Sequence, residues 1–288
     1  MKYLVTGVNG QLGYDVVREL RERYPYDDIL GIDINDLDIT DEEAVHEFIN
    51  NYKPNVVFHN AAYTSVDKAE ENYDLCYKVN ALGPKYITEA CKEVNAKVIY
   101  ISTDYVFDGT KVGYYEVDDK PNPQSVYGST KLEGEKFTKT YQKHFIVRIS
   151  WVFGKNGHNF IKTMLKFAES RKVINVVNDQ IGSPTYTYDL SKLLVDMSQT
   201  EKYGTYQATN DGECSWYEFA YEIFKQANVE MKVNPISTEN YLKLVTQQAK
   251  RPMNSKMSKE KLVKNGFSKL PDWKNALIRY LYEIKEAN

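Results

Sequence analysis

The sequence predicts an α/β fold with a doubly wound parallel sheet and a smaller C-terminal lobe. Three observations predict it. Strand and helix patterns alternate from Tyr3 to Ile149, a glycine turn joins the first strand to the first helix, and beyond Gly154 the alternation loosens. Alternating βα units pair in parallel because each helix must cross back over the sheet, which leaves helices on both faces. Residues 1–155 are accordingly expected to form a dinucleotide-binding domain, and residues 156–288 mainly a substrate-binding lobe with some segments returning to the sheet.

Tyr3-Leu4-Val5 reads as a strand and leads into Thr6-Gly7-Val8-Asn9-Gly10-Gln11-Leu12-Gly13, after which Val16, Val17 and Leu20 fall at helical spacing. Gly7 permits the tight turn, Gly10 lets backbone approach a pyrophosphate, and Gly13 allows the helix to pack closely on the strand. Gln11 and Leu12 open that helix, whose N-terminal N–H groups suit phosphates. A glycine triplet with this spacing is weak evidence by itself; between a strand and a helix it marks a Rossmann-like dinucleotide site.

The second strand, residues 29–33, ends in Asp33, where such folds place the carboxylate that binds the adenosine ribose. No Arg or Lys follows within several residues, which favours NADH over NADPH. Thr40-Asp41-Glu42-Glu43 reads as a capping box, leaving Asp38 and Ile39 to line the adenine. The third strand, Val56–His59, runs into Asn60-Ala61-Ala62-Tyr63, where small residues let a cofactor lie against backbone. Helices are expected over 66–71 and 73–94, with Asn80 inside the second; a mid-helix Asn is usually exposed or bonded back to its own helix. The fourth strand, residues 97–101, delivers Ser102-Thr103-Asp104-Tyr105 to the same sheet edge, and a helix beginning near Tyr127 precedes a fifth strand over 145–149.

Tyr127 and Lys131 share a helix face at i,i+4, but so do Tyr188/Lys192 and Tyr221/Lys225, so spacing alone does not single out the first pair. In the second half, helices are expected over 160–167, 189–197 and 277–284, a strand over Val173–Val177, and a capping box at Ser215 and Glu218. Residues 256–264 read as a solvated helix face, whereas Arg251, followed by Pro252, is suited to pin a diphosphate.

The totals narrow the function classes. With 288 residues, 42% hydrophobic and 27% charged, the chain has the composition of an ordered globular protein that needs no covalent staples. A net charge of -3 argues against a nucleic-acid or membrane partner. Cys76, Cys91 and Cys214 are far apart and odd in number, which suits a reducing compartment, and His46, His59, His144 and His158 form no ligand-spaced cluster with them; no metal is expected. The strand at 3–5 leaves no room for a signal peptide and no apolar run approaches a membrane span, so a cytoplasmic protein is expected.

The glycine turn, Asn60-Ala61-Ala62, Ser102-Thr103-Asp104-Tyr105 and Tyr127 with Lys131 together resemble the extended short-chain dehydrogenase/reductase family. The likeness is closest to its dTDP-4-dehydrorhamnose reductases. It is carried by Ala61-Ala62-Tyr63-Thr64-Ser65-Val66-Asp67-Lys68-Ala69-Glu70, Ser102 through Gly109, Val147-Arg148-Ile149-Ser150-Trp151-Val152-Phe153-Gly154, Asp179-Gln180-Ile181-Gly182-Ser183-Pro184-Thr185 and Arg251-Pro252-Met253-Asn254-Ser255. The resemblance implies reduction of the 4-keto group of a dTDP-sugar, dTDP-6-deoxy-L-lyxo-4-hexulose, with NADPH or NADH. It implies Thr103 as hydroxyl donor, Tyr127 as acid, Lys131 as its modulator and ligand of the nicotinamide ribose, and Asn80 in a proton relay. Val66, Asp104, Tyr105 and Trp151 would line the sugar pocket. A homodimer is a further implied partner. Some members bind magnesium at a dimer contact through glutamates, which find no match here. Two other readings share these motifs: a non-catalytic regulatory subunit resembling the methionine adenosyltransferase beta subunit, and a nucleotide-sugar 4-epimerase that retains NAD.

The chemistry fits those residue types. Hydride arriving at a ketone carbon leaves negative charge on oxygen, which must be stabilised and protonated. A phenol with pKa near ~10 becomes a better partner when an adjacent ammonium lowers it, the role expected of Lys131 beside Tyr127.

Overall fold

The computed structural model describes residues 1–246 and 249–286. Four βα units and a fifth strand open the chain. They are β1 (Lys2–Thr6), α1 (Gln11–Arg23), β2 (Asp28–Ile32), α2 (Glu42–Tyr52) and β3 (Val56–His59), then the short α3 (Val66–Ala69) and α4 (Tyr73–Tyr77), α5 (Gly83–Glu93), β4 (Lys97–Thr103), α6 (Val126–Thr138) and β5 (His144–Ile149). The later elements are β6 (Val152–Phe153), α7 (Phe160–Ala168), β7 (Val173–Val177), β8 (Ile181–Gly182), β9 (Thr185–Tyr186), α8 (Thr187–Ser198), β10 (Gly204–Gln207), β11 (Asn210–Asp211), β12 (Cys214–Ser215), α9 (Trp216–Ala227), β13 (Lys232–Ile236), α10 (Thr238–Leu242), α11 (Glu260–Lys264), β14 (Leu270–Asp272) and α12 (Trp273–Lys285).

The central sheet has six strands, all paired in parallel, in the order β10-β5-β4-β3-β1-β2. The chain runs outward from β1 to one edge through β2, then returns to β3 and builds toward the other. The carboxyl ends of β1 and β3 therefore flank the point where strand order reverses, the crevice in which such sheets bind ligands. Alternation along β1 explains the two layers. Tyr3 and Val5 join a core with Val16 and Leu20 of α1, Phe58, Ile99, Phe145 and the α8 residues Leu190 and Leu194. Leu4 points the other way, into a core with Val45 and Ile49 of α2 and Ile87 and Ala90 of α5. Residues beyond 155 thus supply both an edge strand, β10, and a covering helix, α8. A separate core gathers Phe153, Met164, Phe219, Trp273, Leu277 and Tyr280 between α7, α9 and α12.

Three expectations are corrected. The cap of α2 is Asp41, which accepts the N–H of Ala44 at 3.0 Å, while the Thr40 hydroxyl donates to Asp38 at 2.8 Å. The span 73–94 is not one α-helix: a π-helical turn, Lys78–Leu82, separates α4 from α5. The cause is Pro84, which has no N–H to give the carbonyl of Asn80 four residues earlier; the Tyr100 hydroxyl donates to that carbonyl instead, at 3.3 Å. Residues 256–264 are not a solvated helix face. Met257, Ser258 and Lys259 are buried, only Glu260–Lys264 is helical, and Lys259 is neutralised by Asp211 at 3.8 Å. The capping box at Ser215 and Glu218 is present as read. Among the described residues, no helix is long and apolar enough to cross a membrane.

Candidate active site

A cleft of about 810 Å³ opens at the carboxyl ends of β1, β3, β4 and β5. It is lined by Gly7, Gly10, Gln11, Leu12, Gly13, Asp33, Asp38, Ile39, Ala61, Ala62, Val66, Thr103, Asp104, Tyr105, Tyr127, Lys131 and Trp151. Gly7 takes φ +69°, and a Cβ there would sit 2.9 Å from the backbone of Ala61. A Cβ on Gly13 would lie 2.2 Å from the Gly7 carbonyl oxygen, so α1 packs directly on the turn. No side chain caps α1 at Gly10 and no acidic residue stands in its first turn, which leaves its N-terminal N–H groups available to an anion. Asp33, the first residue after β2, accepts the N–H of Asn9 at 2.9 Å and of Ile34 at 2.8 Å, tying the strand end to the glycine turn. These features fit a dinucleotide: a backbone cradle for phosphates and a carboxylate one strand away.

Thr103 ends β4, and its hydroxyl has three neighbours. It accepts the N–H of Tyr105 at 3.2 Å, donates to Asp104 at 3.0 Å and lies beside the Tyr127 phenol. Helix α6 is capped by Ser125, whose hydroxyl accepts the Gly128 N–H at 3.1 Å, and this fixes Tyr127 and Lys131 on the cleft side. The ring of Tyr105 meets that of Tyr127 edge-on at 5.4 Å.

The electrostatics differ from the sequence expectation. Burial dominates both members of the pair: it raises the Tyr127 phenol above its ordinary value, against the lowering effect of Thr103, and it lowers Lys131 to about 7, against the charge of Glu135. The ammonium lies over the Tyr100 ring, 4.1 Å from its centroid. Tyr127 is therefore held as a protonated acid, not drawn toward phenolate. Burial also pushes Asp104 up to about 6 and Tyr105 to about 12. The other two spacings are different objects. Lys192 stacks its ammonium on Tyr188 at 4.0 Å, and Tyr221 is exposed; neither pair lines the cleft.

Three expected residues, Tyr63, Asn80 and Arg251, do not line the cleft. The Asn80 amide is fully buried and bonded to backbone, accepting from Tyr63 N at 2.8 Å and donating to Tyr63 O at 3.0 Å. It is not exposed: it also reaches the Cys76 sulfur one turn back at 3.4 Å, and it staples the segment carrying Ala61 and Ala62. Arg251 lines an adjoining cavity of about 390 Å³, shared with Asp104, Tyr105, Trp151, Gln180 and Trp216. Its guanidinium pairs with Asp67 at 2.8 Å and donates to the Tyr105 hydroxyl at 3.2 Å. Trp151, expected to stack on substrate, has one face on Trp216 at 3.7 Å and adopts φ +48°, a left-handed conformation costly for an aromatic residue. The sequence does not single out Trp216, Ser255 or Asn9 as site residues. They reach the site through long-range packing or backbone groups, which leave no spacing signal. Glu42, His46 and Glu89 bring three ligand atoms within 4.8 Å of one another outside the cleft, a group that sequence spacing does not foretell.

This geometry has close counterparts among known proteins. The family described as RmlD substrate binding domain matches residues 1–286. The dTDP-4-dehydrorhamnose reductase of Aggregatibacter actinomycetemcomitans is 42% identical, over 96% of this chain and 97% of its own. A solved dTDP-4-dehydrorhamnose reductase from Clostridium acetobutylicum has a TM-score of 0.95 at 43% identity, covering 99% of this chain and 100% of that one. Another, from Bacillus anthracis in complex with NADP, has a TM-score of 0.93 at 43% identity, covering 98% and 100%.

Proposed function

The chain belongs to the RmlD substrate binding domain family, and from that premise we infer that it reduces the 4-keto group of dTDP-4-dehydro-L-rhamnose to give dTDP-L-rhamnose, with NADPH or NADH. The product would serve cell-surface polysaccharide biosynthesis. One observation carries the reading: Thr103, Tyr127 and Lys131 converge in the same cleft as the glycine turn and Asp33.

In this reading the glycine turn and the N-terminus of α1 hold the pyrophosphate, Asp33 the adenosine ribose and Lys131 the nicotinamide ribose. The bound reduced cofactor supplies a hydride. Tyr127, kept protonated by burial, donates its phenolic proton to the carbonyl oxygen as charge develops there. Thr103 orients that phenol, and Lys131 offsets the negative charge left on it. Arg251, Trp151 and Trp216 border the space for the rest of the nucleotide sugar. The assembled Thr103, Tyr127 and Lys131 weigh against a retired regulatory subunit. The three cysteines are all free, which supports a cytoplasmic enzyme.

The test supplies dTDP-4-keto-6-deoxyglucose and a 3,5-epimerase with NADPH or NADH and follows loss of reduced cofactor. Consumption dependent on both the sugar and the protein is expected. No consumption with either cofactor overturns the reading.

A further inference from the structure

The turn that follows Thr103 is gripped twice by one stretch of the C-terminal half. Arg251 donates to the Tyr105 hydroxyl at 3.2 Å, and Ser255 donates its hydroxyl to one oxygen of Asp104. The other oxygen of Asp104 accepts the Thr103 hydroxyl at 3.0 Å. Asp104 and Ser255 are each 3% exposed, so water cannot readily replace either bond. The stretch is itself fixed by backbone. Asn254 N donates to the Gly109 carbonyl at 3.1 Å, and Ser255 N to the Ile181 carbonyl at 2.7 Å.

A threonine hydroxyl has a single hydrogen. Here Asp104 takes it, and a lone pair of Thr103 accepts the Tyr105 N–H, so both bonds of the hydroxyl are fixed by its own turn. Without the carboxylate, that hydrogen has no fixed direction. We infer that Asp104 and Ser255 are positioning residues: Ser255 fixes Asp104, and Asp104 sets the direction of the Thr103 hydroxyl, which lies in the cleft with Tyr127. The inference rests on the role given to Thr103 in the proposed reduction. It also links the stretch carrying Arg251, which borders the nucleotide-sugar cavity, to the reacting edge.

The experiment is a double-mutant cycle on the full-length enzyme, with steady-state kinetics for sugar and cofactor and a thermal midpoint for each variant. Ser255→Ala is expected to lower kcat about 10-fold, the size of one hydrogen bond lost, with KM for the sugar changed less than about twofold. Asp104→Ala is expected to lose more, and Asp104→Asn, which keeps an acceptor for Thr103, to recover most of it. In a Thr103→Val background Ser255→Ala is expected to have no further effect on kcat. An undiminished effect in that background, a loss expressed in KM, or a Ser255→Ala enzyme with unchanged kcat overturns the inference while leaving the reductase reading intact. A Thr103→Val enzyme with full kcat instead removes Thr103 from the reading itself, and the inference falls with it. Should Asp104→Ala not fold, Ser255→Ala and Asp104→Asn carry the test.

Discussion

The Lys131 ammonium lies 4.1 Å from the centre of the Tyr100 ring, and the Tyr100 hydroxyl shares its one hydrogen between the backbone carbonyls of Lys131 at 3.2 Å and Asn80 at 3.3 Å. One side chain of β4 thus carries both the cation and the turn of α6 that presents it. His59 from β3 is held neutral, its value lowered to about 3 by burial; the Cys76 thiol from α4 is pushed up by burial; Glu135 is the charge that supports the ammonium. Lys131, lowered to about 7, is cationic below neutrality and neutral above it. The kcat/KM for reduced cofactor is therefore expected to fall as pH rises through about 7, and Lys131→Arg should move that limb upward. A profile flat across neutrality in the unaltered enzyme would take Lys131 out of the titration.

Tyr127→Phe removes the hydroxyl and keeps the ring against Tyr105. Turnover is expected to drop by about 100-fold to 10,000-fold, the usual worth of a general acid, with cofactor affinity by fluorescence titration nearly unchanged. Equal activity in that variant would exclude Tyr127 as the acid.

Glu135 and Arg148 meet through two bonds of 2.8 Å with both side chains closed to solvent. Ser102 donates to Glu135 at 2.7 Å, and Arg148 donates to the Val117 carbonyl at 3.0 Å. Arg148→Met strands a buried carboxylate and is expected to cost roughly 3–5 kcal/mol in urea unfolding. Combining it with Glu135→Gln, which removes the stranded charge, should cost less than Arg148→Met alone. Burial raises the Glu135 carboxyl, but Arg148 and Ser102 outweigh it and hold the group below its ordinary value. Its stabilisation is therefore present above the ordinary carboxylate range and is lost as pH falls.

A Cβ on Gly128 would lie 2.2 Å from the Tyr105 carbonyl oxygen, a backbone atom that cannot swing aside. Gly128→Ala is expected to push α6 off the turn and reduce kcat by about 100-fold, with a smaller change in cofactor affinity. Crystallography of the variant would show the helix shift.

Asp33 predicts a lower KM for NADH than for NADPH, since no cation follows it to meet a 2'-phosphate. Asp33→Ala should narrow that difference. A strong preference of the unaltered enzyme for NADPH would overturn this reading of the strand end.

What is legible in the sequence is local. The first five strands of the central sheet and their carboxyl ends follow from apolar runs of the right length, and Gly7 to Gly13 mark the turn between β1 and α1. The pair Tyr127/Lys131 can be separated from Tyr188/Lys192 only by what lies upstream, and the structure gives the second pair its own aromatic stack. The misses are pairings between distant residues. Pro84 is visible in the sequence, but that Tyr100 serves the carbonyl it leaves free is not. Nothing in the spacing of Trp151 and Trp216, or of Lys259 and Asp211, announces contact. The reversed balance of Tyr127 and Lys131 comes from desolvation, which depends on how much protein surrounds a group and is invisible to an i,i+4 count.

The last strand to enter the central sheet, β10, settles on β5 after the chain has left for the second core and come back. During synthesis the outer edge of β5 waits, unpaired, until the segment ending at Gln207 has emerged, and the face of α1 waits for α8. A fragment stopped at residue 155 would keep every glycine of the β1–α1 turn and still be an open-edged sheet prone to pair with its neighbours. The first half therefore depends for its solubility on the half that follows it.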